Sequence, residues 1–228
     1  CAPGKIGLAA QFHREHSQYF SLPDTPDLSM GDIDFTLAAW VYLDSKGEMI
    51  LLNQGDSSRP SSNEYLLRYS PEDDKFAFNV GDSRDSRTVS TEEIGPLATS
   101  TWYFIAAWHD TRGPNRNTIH IQVNNQPVDL HGLELPPGVS SYDSSHNFTI
   151  GYFSNFEGGG YTNGRIDEVA IWKRVLSPQE RTDLFNGGKG NSYLPDRRAF
   201  SVDTQGTLAD GLVVYYPFEE EKSLWNLG

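Results

Sequence analysis

At 228 residues the chain is near the upper size of one sandwich-type domain, and 37% hydrophobic with 12% aromatic residues is too apolar for a disordered polypeptide. A net charge of −13, from 18 Lys+Arg against 31 Asp+Glu, disfavours phosphate backbones and anionic lipid surfaces, and suits a cation such as calcium or a neutral ligand such as a glycan. The longest uncharged apolar runs fall far short of the roughly 18 residues a bilayer span needs, so no membrane span is expected. One cysteine, Cys1, leaves no internal disulfide and no thiolate metal cluster. It reads either as the lipid-modified first residue of an exported lipoprotein or, the preferred reading, as a cut within a longer polypeptide; both fit export.

Apolar and polar residues alternate in short segments, the period of strands. In chain order the pattern predicts strands over 6–12, 19–22, 35–43, 49–53, 65–69 and 75–80, then over 87–90, 102–109, 118–123, 147–152, 164–172 and 212–217. Turn-rich stretches such as SPEDD, HDTRGPNRN, VNNQP and FEGGGYTNG separate them. One helix is predicted over 178–185, with Ser177 as N-cap, Pro178 at the first helical position, Glu180 closing a capping box, and Gly187 and Gly188 stopping it. Its sparse apolar positions, Leu184 and Phe185, suggest a short lid on a sandwich rim. A dozen strands with regular turns and no repeat or linker predict an all-β, two-sheet antiparallel sandwich as a single domain over 1–228.

Three stretches carry a family resemblance. GKIGLAAQFHREHSQYFSLPDTPDLS followed by DFTLAAWVYLD resembles the opening of laminin-G-like jelly rolls, and GRIDEVAIWKRVLSPQERTDLFNGG resembles their closing strand and helix. The chain is thus similar to the concanavalin-A-like lectin and glucanase superfamily. This fold serves lectins, pentraxins, glycosidases and adhesion modules, so it implies a jelly roll more firmly than a function. The family's usual opening strand stands here near the end, as GLVVYYPFEE over 211–220. Either it opens a following repeat or, as preferred here, it returns to complete this sandwich and spare two unpaired edges.

The chemistry of catalysis is sparse. The Glu-x-Asp-x-x-Glu spacing of sandwich glucanases does not occur, and the consecutive acids of PEDD, TEE and FEEE send neighbours to opposite faces. No serine sits in a GxSxG elbow. His13 and His16, flanking Glu15, are turn residues on a rim unless a tight turn brings both imidazoles to one point, where they could hold zinc. The resemblance implies a structural calcium using Asp167 of the closing strand, with the Phe218 carbonyl and Glu219 as partners. The alternative is that Asp167 binds backbone amides and ties two strands together.

Sugar recognition needs aromatic faces for pyranose C–H groups and polar side chains for hydroxyls. The loop 151–164 has that composition: Tyr152, Phe153, Phe156 and Tyr161 with Asn155, Glu157 and Asn163, while Gln54 and Asp56 are placed across the same mouth. Trp40, Trp102, Trp108 and Trp172 sit inside strand patterns and are assigned to the core. The leading expectation is a non-catalytic extracellular module for a carbohydrate or cell-surface glycan. Two others stand beside it: a glycan-cleaving enzyme with acid and base on separate strands, and a structural or adhesion domain of a larger surface protein.

Overall fold

The computed structural model describes residues 1–55, 63–81, 86–91, 94–112, 117–126, 133–134, 143–153, 160–191 and 208–219. The strands are β1 (Ala2–Pro3), β2 (Leu8–Phe12), β3 (Phe20–Leu22), β4 (Phe35–Leu43), β5 (Met49–Gly55), β6 (Asn63–Ser70) and β7 (Lys75–Gly81). They continue as β8 (Ser86–Ser90), β9 (Trp102–Asp110), β10 (Thr118–Val123), β11 (Leu133–Glu134), β12 (Phe148–Ile150), β13 (Gly164–Trp172) and β14 (Leu212–Tyr216), with helix α1 (Pro178–Phe185) between the last two. One sheet runs β1-β2-β13-β4-β9-β10-β11, with β14 also on β13; the other runs β3-β12-β5-β6-β7-β8. Pairing is antiparallel in every described strand pair, and the two sheets form the sandwich that the alternation predicts, in the jelly-roll form that the family resemblance implies.

The core lies between the sheets. Alternate residues of β4, from Phe35 through Leu37, Ala39 and Val41 to Leu43, face inward with Leu52, Leu67 and Phe78 of the second sheet. The other phase of β4 is buried too. Ala38 and Trp40 join Phe104, Ala106, Ala170, Trp172, Leu176 and Leu184 in a second apolar layer on the outer face of the first sheet. A strand covered on both sides reads as the near-continuous run FTLAAWVYL rather than a strict alternation.

What covers that face is α1, which corrects its expected place as a rim lid. Phe185 stacks on Trp40 with ring centroids 5.9 Å apart and 16° between planes, and lies 6.2 Å from Phe104. The start of the helix is built as its sequence predicts. The Ser177 hydroxyl accepts from the Glu180 amide at 3.2 Å, and the Glu180 carboxylate accepts from the Ser177 amide at 2.8 Å. Glu180 also pairs with Arg174 at 2.6 Å. Of the four tryptophans assigned to the core, Trp40, Trp108 and Trp172 are buried, while Trp102 is half-buried against Tyr42.

β13 organises the closing edge. A bulge between Asp167 and Ala170, with Glu168 at φ +50°, inserts one residue, so that Ile166 and Val169 both point into the core although three positions separate them. Its first half pairs with β2, Ile166 opposite Ala10; its second half pairs with β14, Val169 opposite Tyr216. Both partners lie on one edge of β13. β14 adds Val214 to the core, and Phe218 beyond it packs on Phe20 at 5.6 Å.

Candidate functional site

The tyrosine cluster begins with a backbone constraint. Gly151 N–H and Thr162 N–H give the loop its base: Gly151 donates to Leu51 O, Thr162 donates to Gly151 O at 2.9 Å, and Gly160 donates to Phe153 O at 2.9 Å. These last two bonds set residues 152 and 161 directly opposite each other. The Tyr152 and Tyr161 rings accordingly stack, 4.5 Å apart at 27°. Gly151 takes φ +90°, and a β-carbon there would meet the Phe12 ring at 2.8 Å, so a side chain is excluded twice over.

β3 pairs with β12 so that Phe20 faces Ile150. One step earlier, Tyr19 comes level with Gly151 and reaches the pair, 4.7 Å from the Tyr152 ring and 6.3 Å from Tyr161. Tyr19 is 46% exposed, one of two large hydrophobic side chains so open among the described residues. Tyr152 and Tyr161 are half-buried and buttress it. Arg14 fastens the cluster from behind, donating through Nε to Tyr161 O at 2.9 Å and through Nη2 to Glu48 O.

The structure brings together Tyr152 and Tyr161 as a pair but divides the remaining expected residues. Asn155, Phe156, Glu157 and Asp56 lie outside the described residues. Gln54 does not line a mouth: it is fully buried, donates to Asp24 Oδ1 at 2.8 Å and accepts from the Tyr65 hydroxyl at 2.7 Å. It points inward because it is directly opposite Tyr65, a core residue. Phe153 is also buried, against Ile50 and Leu66. Tyr19 and Arg14 were missed; an aromatic just ahead of a strand opposite a glycine is the only signal, and it needs the pairing to be legible.

Asp167 and Glu219 meet at the turn that precedes β2. Asp167 Oδ2 accepts from the amides of Lys5 at 2.8 Å and Ile6 at 3.1 Å, and Oδ1 from Glu168 N–H at 2.9 Å. Glu219 accepts from Leu8 N–H at 3.4 Å. Its carboxylate fills the space where a β-carbon on Gly7, at φ +52°, would stand. Burial pushes the Asp167 carboxyl up to about 7, the three amides pull it down, and the charge of Glu219 pushes it further up. The donors are hard oxygens, which suit calcium in kind, although two of the lone pairs are already taken by N–H groups on Oδ2. Among the described residues no three His, Cys, Asp or Glu side chains form a metal cluster.

The role of the buried Glu64 carboxylate was not foreseen. Glu64 accepts from the amides of Gly31 and Ser144, each at 3.0 Å, and of Met30, joining three segments; burial pushes it up to about 7. The acids of PEDD are surface ties, with Asp74 bonded to Lys46 at 2.6 Å and to the Tyr69 hydroxyl at 2.7 Å. No described helix is long and apolar enough to cross a membrane.

Comparison with known proteins agrees with this architecture. A candidate carbohydrate-binding protein from Bacteroides ovatus superposes with a TM-score of 0.60 at 21% identity, over 93% of this chain and 52% of that one, so this chain spans about half of its length. Domain 4 of an extracellular arabinanase from Geobacillus stearothermophilus, solved with arabinotriose, gives 0.57 at 21% identity over 80% of this chain and 78% of that one. Rat serum amyloid P-component is 24% identical over 178 residues, covering 76% of this chain and 72% of the relative. A laminin-G-type family model matches residues 14–180, from the turn after β2 into α1, and with both sheets in place the chain belongs to the concanavalin A-like lectin/glucanases superfamily.

Proposed function

We propose that the chain is a non-catalytic extracellular module that binds a carbohydrate or cell-surface glycan, with Tyr19 as the exposed ring and Tyr152 and Tyr161 behind it. The observation that carries this reading is the convergence of three tyrosines on one frame of backbone hydrogen bonds. Aromatic faces preset in this way offer C–H stacking at little entropic cost. The Bacteroides and Geobacillus neighbours, whose names concern sugars, support it. Glycan-array binding of the isolated chain, repeated with Tyr19→Ala, tests it. Binding to a defined glycan that the variant weakens supports the reading; no binding to any glycan, or equal binding by the variant, overturns it.

A structural calcium ion belongs to the same proposal. Asp167 and Glu219, with the Phe218 carbonyl, would hold it at the end of β14. Its charge would offset the repulsion between two carboxylates gathered at one turn. It would serve the fold rather than the sugar.

A further inference from the structure

We propose that the turn over residues 13–17 is a two-imidazole site for a divalent transition-metal ion of the zinc class, held by His13 and His16. The argument starts from HREH. Arg14–His16 form a 3-10 turn, with His16 N–H donating to His13 O at 3.0 Å and Ser17 N–H to Arg14 O at 3.0 Å, before Ser17 turns the chain at φ +52°. Three residues per turn place side chains i and i+3 above one another, so the two rings meet. Their centroids are 5.6 Å apart, with 62° between planes. Two imidazoles on one tetrahedral ion, each with nitrogen about 2.0–2.1 Å from the metal, have centroids roughly 5 Å apart. Small side-chain rotations close that difference.

The turn is held in advance of any ion. Gln18 Oε1 accepts from His13 N–H at 3.0 Å, and the Arg14 guanidinium is engaged by the carbonyls of Tyr161 and Glu48. Glu15 Oε1 lies 3.8 Å from His13 Nδ1. A carboxylate beside the ring pair stands where second partners orient metal-bound imidazoles. The His13 side chain is 45% exposed, so an ion reaches it from solvent. With two protein nitrogens the remaining positions go to water or to a donor atom of a bound molecule, which makes the ion exchangeable. This inference is independent of the glycan reading.

The test uses the full untagged chain, titrated with zinc chloride by calorimetry and passed over immobilised copper–iminodiacetate. The wild type is expected to bind zinc and to be retained until imidazole elutes it. His13→Ala and His16→Ala should each weaken zinc binding at least about tenfold, Glu15→Gln by less, and His146→Ala not at all. Both histidines are at the surface, so the melting temperature confirms that the variants fold. If the ring contact only braces the turn, the His13 and His16 variants melt lower with zinc affinity unchanged, and the proposal fails. It fails equally if the wild type gives no zinc heat, or if His146→Ala loses as much as His13→Ala.

Discussion

Tyr19 precedes β3 by one residue and carries no motif; its role exists only because β3 pairs with β12 and sets it level with the bare Gly151. Tyr152 and Tyr161 were legible because glycines and aromatics share their loop, whereas Gln54 looked like a rim residue and is buried, since composition does not say which face of a strand a residue takes. Tyr19→Ala should weaken glycan binding about two- to tenfold, from the worth of one aromatic contact, and leave the melting temperature nearly unchanged. Isothermal titration with the array's best glycan and a thermal melt read both outcomes. Glu64 teaches the converse lesson, that a carboxylate inside an alternating strand can be a buried clasp. Its folded-state carboxyl is pushed from 4.5 to about 7, so between those values the folded chain holds the extra proton. The stability it contributes is therefore full below about pH 4.5 and is lost as pH rises through about 7. Asp167 acts in the same direction. Melts at pH 5 and pH 8 should show a smaller fall for Glu64→Gln than for the wild type; an equal fall would remove Glu64 from this account.

The elements most legible in the sequence were those whose bounds local chemistry sets. α1 lies where Ser177, Pro178 and Glu180 place it, and β4, β10 and β13 match their predicted spans. β1 and β11 were not anticipated, because two residues carry no period. The predicted strand over 147–152 shrinks to Phe148–Ile150, since Gly151 at φ +90° ends it. The side on which α1 packs was also hidden: two apolar residues on a short helix do not say that Trp40 and Phe104 await them. Ser177→Ala removes one half of the capping box and should cost about 1 kcal/mol, roughly 2–4 °C in melting temperature for a domain of this size. β14 supplies Val214, and the segment beyond it supplies Phe218, both to the core. We therefore expect a chain stopped before Gly211 to be insoluble or unfolded in circular dichroism; a soluble truncate with the parent's melting curve would show that β14 is an accessory.

For the whole molecule, the sandwich could be foreseen from alternation and turns, while the meeting of Tyr19 with Tyr152 could not, because a strand pairing between distant segments brings them together. The acidic balance of −13 has a measurable counterpart at Asp167 and Glu219. If calcium binds there, it competes with the proton that Asp167 holds below about pH 7. Calcium at about 100 times its Kd should then add roughly 2.7 kcal/mol at pH 8 and less at pH 5.5, seen as a rise in melting temperature that EDTA reverses. No shift with EDTA at pH 8 would leave Asp167 with its three amide bonds as its whole role. β14 and β2 both run antiparallel to β13, so they point the same way, and the last residues of one abut the first of the other where Leu8 N–H meets Glu219. Along that edge they are two halves of a single line, and the order in which the backbone visits them is separable from the architecture. A circular permutant that joins residue 219 to residue 2 through a short Gly-Ser linker, and opens the chain between the exposed Glu72 and Asp73, breaks no described strand pairing. It should fold to the same circular dichroism spectrum, with its new ends in the β6–β7 turn.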